Sequence, residues 1–265
     1  MNTSLQFDPQ GRLNPTGFSA LANPTSRRYF RVNETPPDLG SVYARSCAYL
    51  GACDDLSLTD FKHKVAELKS YLASNQALRP LLQSPMLPFI LPRGSIGADA
   101  KGAMCRYLKG VEKSFQDSSP GSQFTDHSID TWKDQFSTNP QSRAQLLTER
   151  SDRTSVVGLF MPALSEFSIP AAFEAIDALP SSLTLSGFFE IAAALVGTPR
   201  YLINPDAYSP LLWAAANIGS DMPGGFHFAA YGNDMTFNYR AHLGEVSEYW
   251  WCGVSLAVEP SNHLC

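Results

Sequence analysis

Apolar residues recur along this chain at two different spacings, and the change between them divides it. Phe61, Val65, Leu68 and Leu72 follow at intervals of four, three and four, which puts them on one stripe of a helix. That helix is predicted over Ser57 to Ala73, with Ser57 or Thr59 as its cap and Asp60 in its first turn. A shorter helix precedes it, Val42 to Leu50, closed at Gly51. Ala98 to Phe115 continues the pattern, weakened by Gly102 and Gly110. Further helices are predicted at Gln141 to Arg150, from the cap Ser168 with Pro170 to Leu179, over Thr184 to Val196, and from Ser209–Pro210 to Gly219. The run LSGFFEIAAALV is apolar on every side, so its helix is expected to be buried.

Strand character is concentrated late. Met86 to Leu91 and Ser155 to Met161 are short apolar runs bounded by prolines or polar residues. Phe226 to Tyr231, Met235 to Ala241 and Val246 to Val258 read as three consecutive strands, with turns at Gly232-Asn233-Asp234 and His242-Leu243-Gly244. Both faces of this stretch are apolar, so the sheet should be covered on both sides. The adjacent Trp250 and Trp251 must point to opposite faces. One enters the core; the other covers a helix, a ligand or a partner. The fold expected is α+β: a mostly helical single domain with a C-terminal three-stranded antiparallel meander.

Two stretches fit neither period. Residues 1–40 contain Pro9, Pro15, Pro24, Pro36 and Pro37, which exclude a long helix. They also carry Leu5, Phe7, Leu13, Phe18, Leu21, Tyr29 and Phe30, too many apolar side chains for a solvated tail. An extended arm lying on its own core or on a neighbouring subunit is expected, followed by one domain over 41–265. Residues 117–140 are polar and irregular and read as a long loop or a hinge.

Composition narrows the function classes. The chain has 265 residues, a net charge of −5 and only 17% charged residues, below the usual quarter. Its basic clusters are small: Arg27, Arg28 and Arg31, then Lys62, Lys64 and Lys69. Charge therefore does not indicate a nucleic-acid partner. No run reaches the length of a membrane span, and the N-terminus lacks the pattern of a signal peptide. Five cysteines without a CxxC pair argue against zinc and for reduced thiols in an intracellular protein.

Candidate chemistry centres on Cys105 and His227. If Gly102 breaks its helix, Cys105 falls in a first turn, where a thiolate is favoured. His227 at a strand start could serve as base, oriented by Asn233 or Asp234, with Glu245 or Glu248 on neighbouring strands. Cysteine on a helix followed by histidine on a later strand is the order of papain-like peptidases. The segment HFAAYGND, followed by EYWW, resembles the region around that family's histidine, over residues 227–251. The resemblance implies a thiol hydrolase or acyl transferase; the family's cysteine motif and Asn-Ser-Trp are absent here. His227, Asp234, His242 and Glu245 lack metal-site spacing, and RGSIGADAKG lacks the Gly-Lys-Ser/Thr of a phosphate loop, so neither metal nor cofactor is expected.

Low charge, proline-rich loops and an apolar-studded arm give the leading functional expectation: a structural, self-associating subunit of shell or coat type. Its homo-oligomer would form through the arm and the aromatic C-terminal sheet. The thiol hydrolase is the alternative, and an exported effector is a weaker third.

Overall fold

A computed structural model describes residues 7–51, 53–217, 224–241 and 244–257. Among the described residues helix and strand account for 37% and 22%, and the strands form one mixed sheet of eight. The chain is therefore a mixed α/β fold. This corrects the expected α+β arrangement of a mostly helical body with a terminal meander.

The helices are α1 (Leu39–Tyr49), α2 (Leu58–Ser74), α3 (Ala100–Ser118), α4 (Asp130–Lys133), α5 (Gln145–Ser151), α6 (Ile169–Ala178) and α7 (Phe188–Gly197). The strands are β1 (Leu87–Leu91), β2 (Phe124–Asp126), β3 (Val156–Ser165), β4 (Leu183–Leu185), β5 (Leu211–Trp213), β6 (Gly224–Tyr231), β7 (Asp234–Ala241) and β8 (Trp250–Leu256). They lie in the order β1-β3-β8-β5-β6-β7-β2, with β4 also on β8. The β5–β8 and β2–β7 pairs are parallel and the others antiparallel.

The predicted third strand does exist, but it does not follow β7 into a meander. β8 is apolar on both faces and needs cover on both, which a central position provides. One of its edges pairs with β3; the other is shared by β5 and β4. Period two divides its side chains: Trp250, Cys252, Val254 and Leu256 enter one apolar cluster and Trp251 borders the other. The first cluster also takes the stripe of α2 and the buried side of α6. The second takes α3 and α7. Helices thus cover both faces.

Two predicted helices change identity. Thr184 belongs to β4, and α7 starts only at Phe188, after the N-cap Gly187. The stretch from Ser209 forms β5 and a 3₁₀ turn at Ala215–Asn217, and Gly219 lies outside the described residues. There the caps are overridden by pairing, because Leu-Leu-Trp fills the gap between β6 and β8. The stretch 117–140 carries β2 and α4, and its Trp132 stacks on Tyr239 at 4.4 Å. The second predicted turn, His242-Leu243, also lies outside the described residues.

The arm lies on its own body. Leu13 N–H donates to the Ala163 carbonyl at 2.8 Å, and Asn33 N–H to that of Tyr201 at 2.7 Å. Arg12, buried against the Phe167 ring, donates to the Ser165 carbonyl at 2.8 Å. The Glu166 carboxylate accepts from Asn23 at 2.7 Å and from Ser26. The expectation of reduced thiols is corrected for one pair: Cys47 and Cys53 form a disulfide, their Cα atoms 5.4 Å apart. Gly51, at φ +127°, turns the chain between them.

Close packing at two glycines and one buried carboxylate generates two predictions. A Cβ on Gly158 would fall into the Phe89 ring. Gly158→Ala should lower stability by about 1–3 kcal/mol, read as a lower urea midpoint at unchanged slope. Gly253 meets the Phe160 ring in the same way. In the capping box of α7, Glu190 accepts from Gly187 N–H at 2.8 Å. Burial raises its pKa from 4.5 to about 7. The folded state then holds its proton more tightly than the unfolded state, so stability falls as pH rises from 4.5 to 7, by about 3 kcal/mol at most. Glu190→Gln keeps the acceptor and should lose that dependence, a difference that denaturant titrations at pH 5 and pH 8 would measure.

Candidate functional site

The residues singled out from sequence do not assemble into one site. Cys105 is the sixth residue of α3, past its first turn, and faces solvent. The helix is capped instead by Asp99, whose carboxylate accepts from Gly102 N–H at 2.8 Å. All the buried apolar residues of α3 enter the second cluster. His227 lies in β6 on the opposite face, with Trp213 at 5.0 Å between ring centroids, and Trp213 belongs to the first cluster. The sheet therefore separates thiol from imidazole. Asn233 and Asp234 form the tip of the β6–β7 hairpin, and His227 pairs with Asn238 further along it. Four residues of strand, about 13 Å, keep the tip from orienting His227. The Asp234 carboxylate instead accepts from Gln123 N–H at 2.7 Å and ties β2 to the hairpin. His242 is outside the described residues, and among these no three His, Cys, Asp or Glu gather as a metal site would require.

His227 is 3% exposed and its Nδ1 has no hydrogen-bond partner. Desolvation, with a smaller contribution from Arg240, lowers its pKa from 6.5 to about 4. It is neutral at physiological pH. Arg240 itself lies over the Tyr249 and Trp250 rings, 5.8 Å from each centroid.

A large concavity lies elsewhere, at the end of the sheet where β1 and β8 begin. The arm forms one wall, and α1 and the segment after α7 form others. Its volume is about 1340 Å³, above the usual range of a small-molecule cleft. Arg12, Arg28, Arg31, Arg45, Lys69 and Arg200 line it, against Glu34, Asp38 and Asp206. Most of these cations have local roles. Arg28 pairs with Asp8 at 3.0 Å, and Arg45 donates to the Ser114 carbonyl at 3.2 Å. Lys69 and Arg200 have no side-chain hydrogen bond or ion pair among the described residues.

Three further wall residues carry buried polar atoms without a partner: Thr198 Oγ1, Tyr201 Oη and Trp251 Nε1. Buried polar atoms are normally satisfied; these three are closed to solvent, so an acceptor in the cleft reaches them only if the wall shifts. Burial, with Glu34 nearby, raises the Tyr201 pKa, so its phenol stays protonated and able to donate. The fold places these groups directly. Trp251 opens the central strand on the face opposite Trp250, and Thr198 and Tyr201 follow the end of α7. Only part of this set shows in the sequence. The tryptophan pair and the basic clusters that hold Arg28, Arg31 and Lys69 stand out there, whereas Thr198, Arg200 and Tyr201 carry no local pattern.

Comparison with protein-family models, with curated proteins and with solved structures found no match to this chain.

The His227 environment gives a pH prediction. Because its folded pKa is depressed, the unfolded state takes up the proton first, and stability is lost as pH falls from 6.5 to 4. His227→Phe should gain stability relative to the parent over that interval, measured by urea denaturation at pH 7 and pH 4.5. A constant difference between the two proteins would refute the assignment.

Proposed function

We propose that the chain is a binding protein for a small anionic molecule held in the cleft at the sheet end. The observation that carries this reading is the pair of unpaired, exposed cations Lys69 and Arg200 beside Arg28 and Arg31 in one cleft, with three partnerless donors, on Thr198, Tyr201 and Trp251, behind its wall. An indole N–H can only donate, and a neutral phenol and a hydroxyl donate readily. Anionic oxygens are the acceptors that match donors and cations together. No helix among the described residues is long and apolar enough to cross a membrane. The Cys47–Cys53 bridge supports an oxidising compartment as the place of work, in place of the reduced cell interior.

A self-associating subunit is the second reading. The observation favouring it is the exposed, stacked pair Tyr29 and Tyr208 on the arm and the loop beneath it. The thiol hydrolase has no comparable support, since Cys105 and His227 face away from each other across the sheet.

Pyrophosphate and citrate are suitable probes of the cleft. Either should raise the thermal midpoint at millimolar concentration and bind measurably by calorimetry. Arg200→Ala and Lys69→Ala should each weaken that binding about tenfold, because both side chains are unengaged in the free protein. Trp251→Phe removes the donor and keeps the ring, and should weaken binding without loss of the fold. Absence of stabilisation by both probes, or equal affinity in Arg200→Ala, would defeat the reading.

A further inference from the structure

The arm presents one surface that its own body does not use. Arg31 N–H donates to the Tyr208 carbonyl at 2.9 Å, and Phe30 forms a bridge with Tyr208. Phe30 also packs on Tyr249 at 5.5 Å. These contacts fix the segment against the loop before β5. Extended backbone then turns the neighbouring Tyr29 outward. Tyr29 and Tyr208 are 58% and 66% exposed and stack at 5.7 Å with an interplanar angle of 27°. Two large rings held rigidly in solvent lose little conformational freedom on docking, which is the character of an interface anchor.

The charges beside this pair bear opposite signs. Arg27, with a side chain 84% exposed, stands 3.6 Å from Glu248, which precedes Tyr249. An ion pair this open contributes little within one chain, so each partner is free to exchange for its equivalent on another molecule. A patch with an aromatic centre and both signs at its margin is self-complementary, which a twofold contact requires. A uniformly acidic or basic partner would gain one attraction there and one repulsion.

We infer that this surface is a twofold interface between two copies of the chain. The Tyr29–Tyr208 pairs stack on each other at the axis, and Arg27 of each copy faces Glu248 of the other. This inference rests on the self-association reading and specifies its partner and geometry. It rests on residues other than the cations and donors of the anion cleft.

The test is a charge exchange read by light scattering and sedimentation on the full chain. The parent should be a dimer. Tyr208→Ser should raise the dimer dissociation constant at least tenfold. Arg27→Glu and Glu248→Arg should each be monomeric alone, because each places like charges across the axis twice. Mixed in equal amounts, these two variants should recover the dimer mass, since every contact is again between opposite signs. A monomeric parent would overturn both the inference and the self-association reading. A parent dimer that survives Tyr208→Ser, or two charge variants that stay monomeric when mixed, would overturn the inference alone and leave association through another surface. Arg27 and Tyr208 are exposed enough for their replacement to spare the fold, which circular dichroism of each variant would check.

Discussion

The position of β8 governs the rest of the molecule. A strand apolar on both faces cannot lie at a sheet edge or in a two-layer meander without exposing one of them. Its central place recruits β3 to one side and β5 with β4 to the other. Those pairings draw together segments far apart in sequence, and the helices between them settle on whichever face needs cover. The glycines at 158 and 253 belong to the same constraint: they leave room for the rings of Phe89 and Phe160 where strands and side chains are most crowded.

The cleft is a by-product of that centre. Where β8 begins, Trp251 stands on the second face at the border of the cluster that α3 and α7 enter. The arm closes the opening without filling it, since its ties lie to either side: Arg12 and Glu166 on one, Asn33 on Tyr201 on the other. Donors left beneath this partial cover are not satisfied by the protein. Charge is arranged to match, with cations that would be costly to bury unpaired kept at the rim of the opening.

Much of the local structure was legible in the sequence. The stripe of α2 and the cap at Ser57 lie where periodicity put them, as do the β6–β7 hairpin and the opposite facing of Trp250 and Trp251. What could not be read was pairing between distant strands. Leu211–Trp213 has caps suited to a helix and becomes a strand only because two others flank it. The Cys47–Cys53 bridge depends on a turn at Gly51 that spacing rules do not cover. The cleft was least visible of all. Lys69, Thr198, Arg200 and Tyr201 are ordinary residues by type, and only the fold brings them to one opening.

The way the arm is fastened has a consequence for how the chain acquires its shape. Arg12 bonds to a carbonyl 153 residues away, and Leu13 to another in the same strand. Both acceptors lie on β3, which pairs with β8, the last strand among the described residues. The arm is thus seated by contacts far from it in sequence. Contacts of such high sequence separation form slowly, so Leu13 and Val32, buried in the folded chain, stay open to water until the arm is seated.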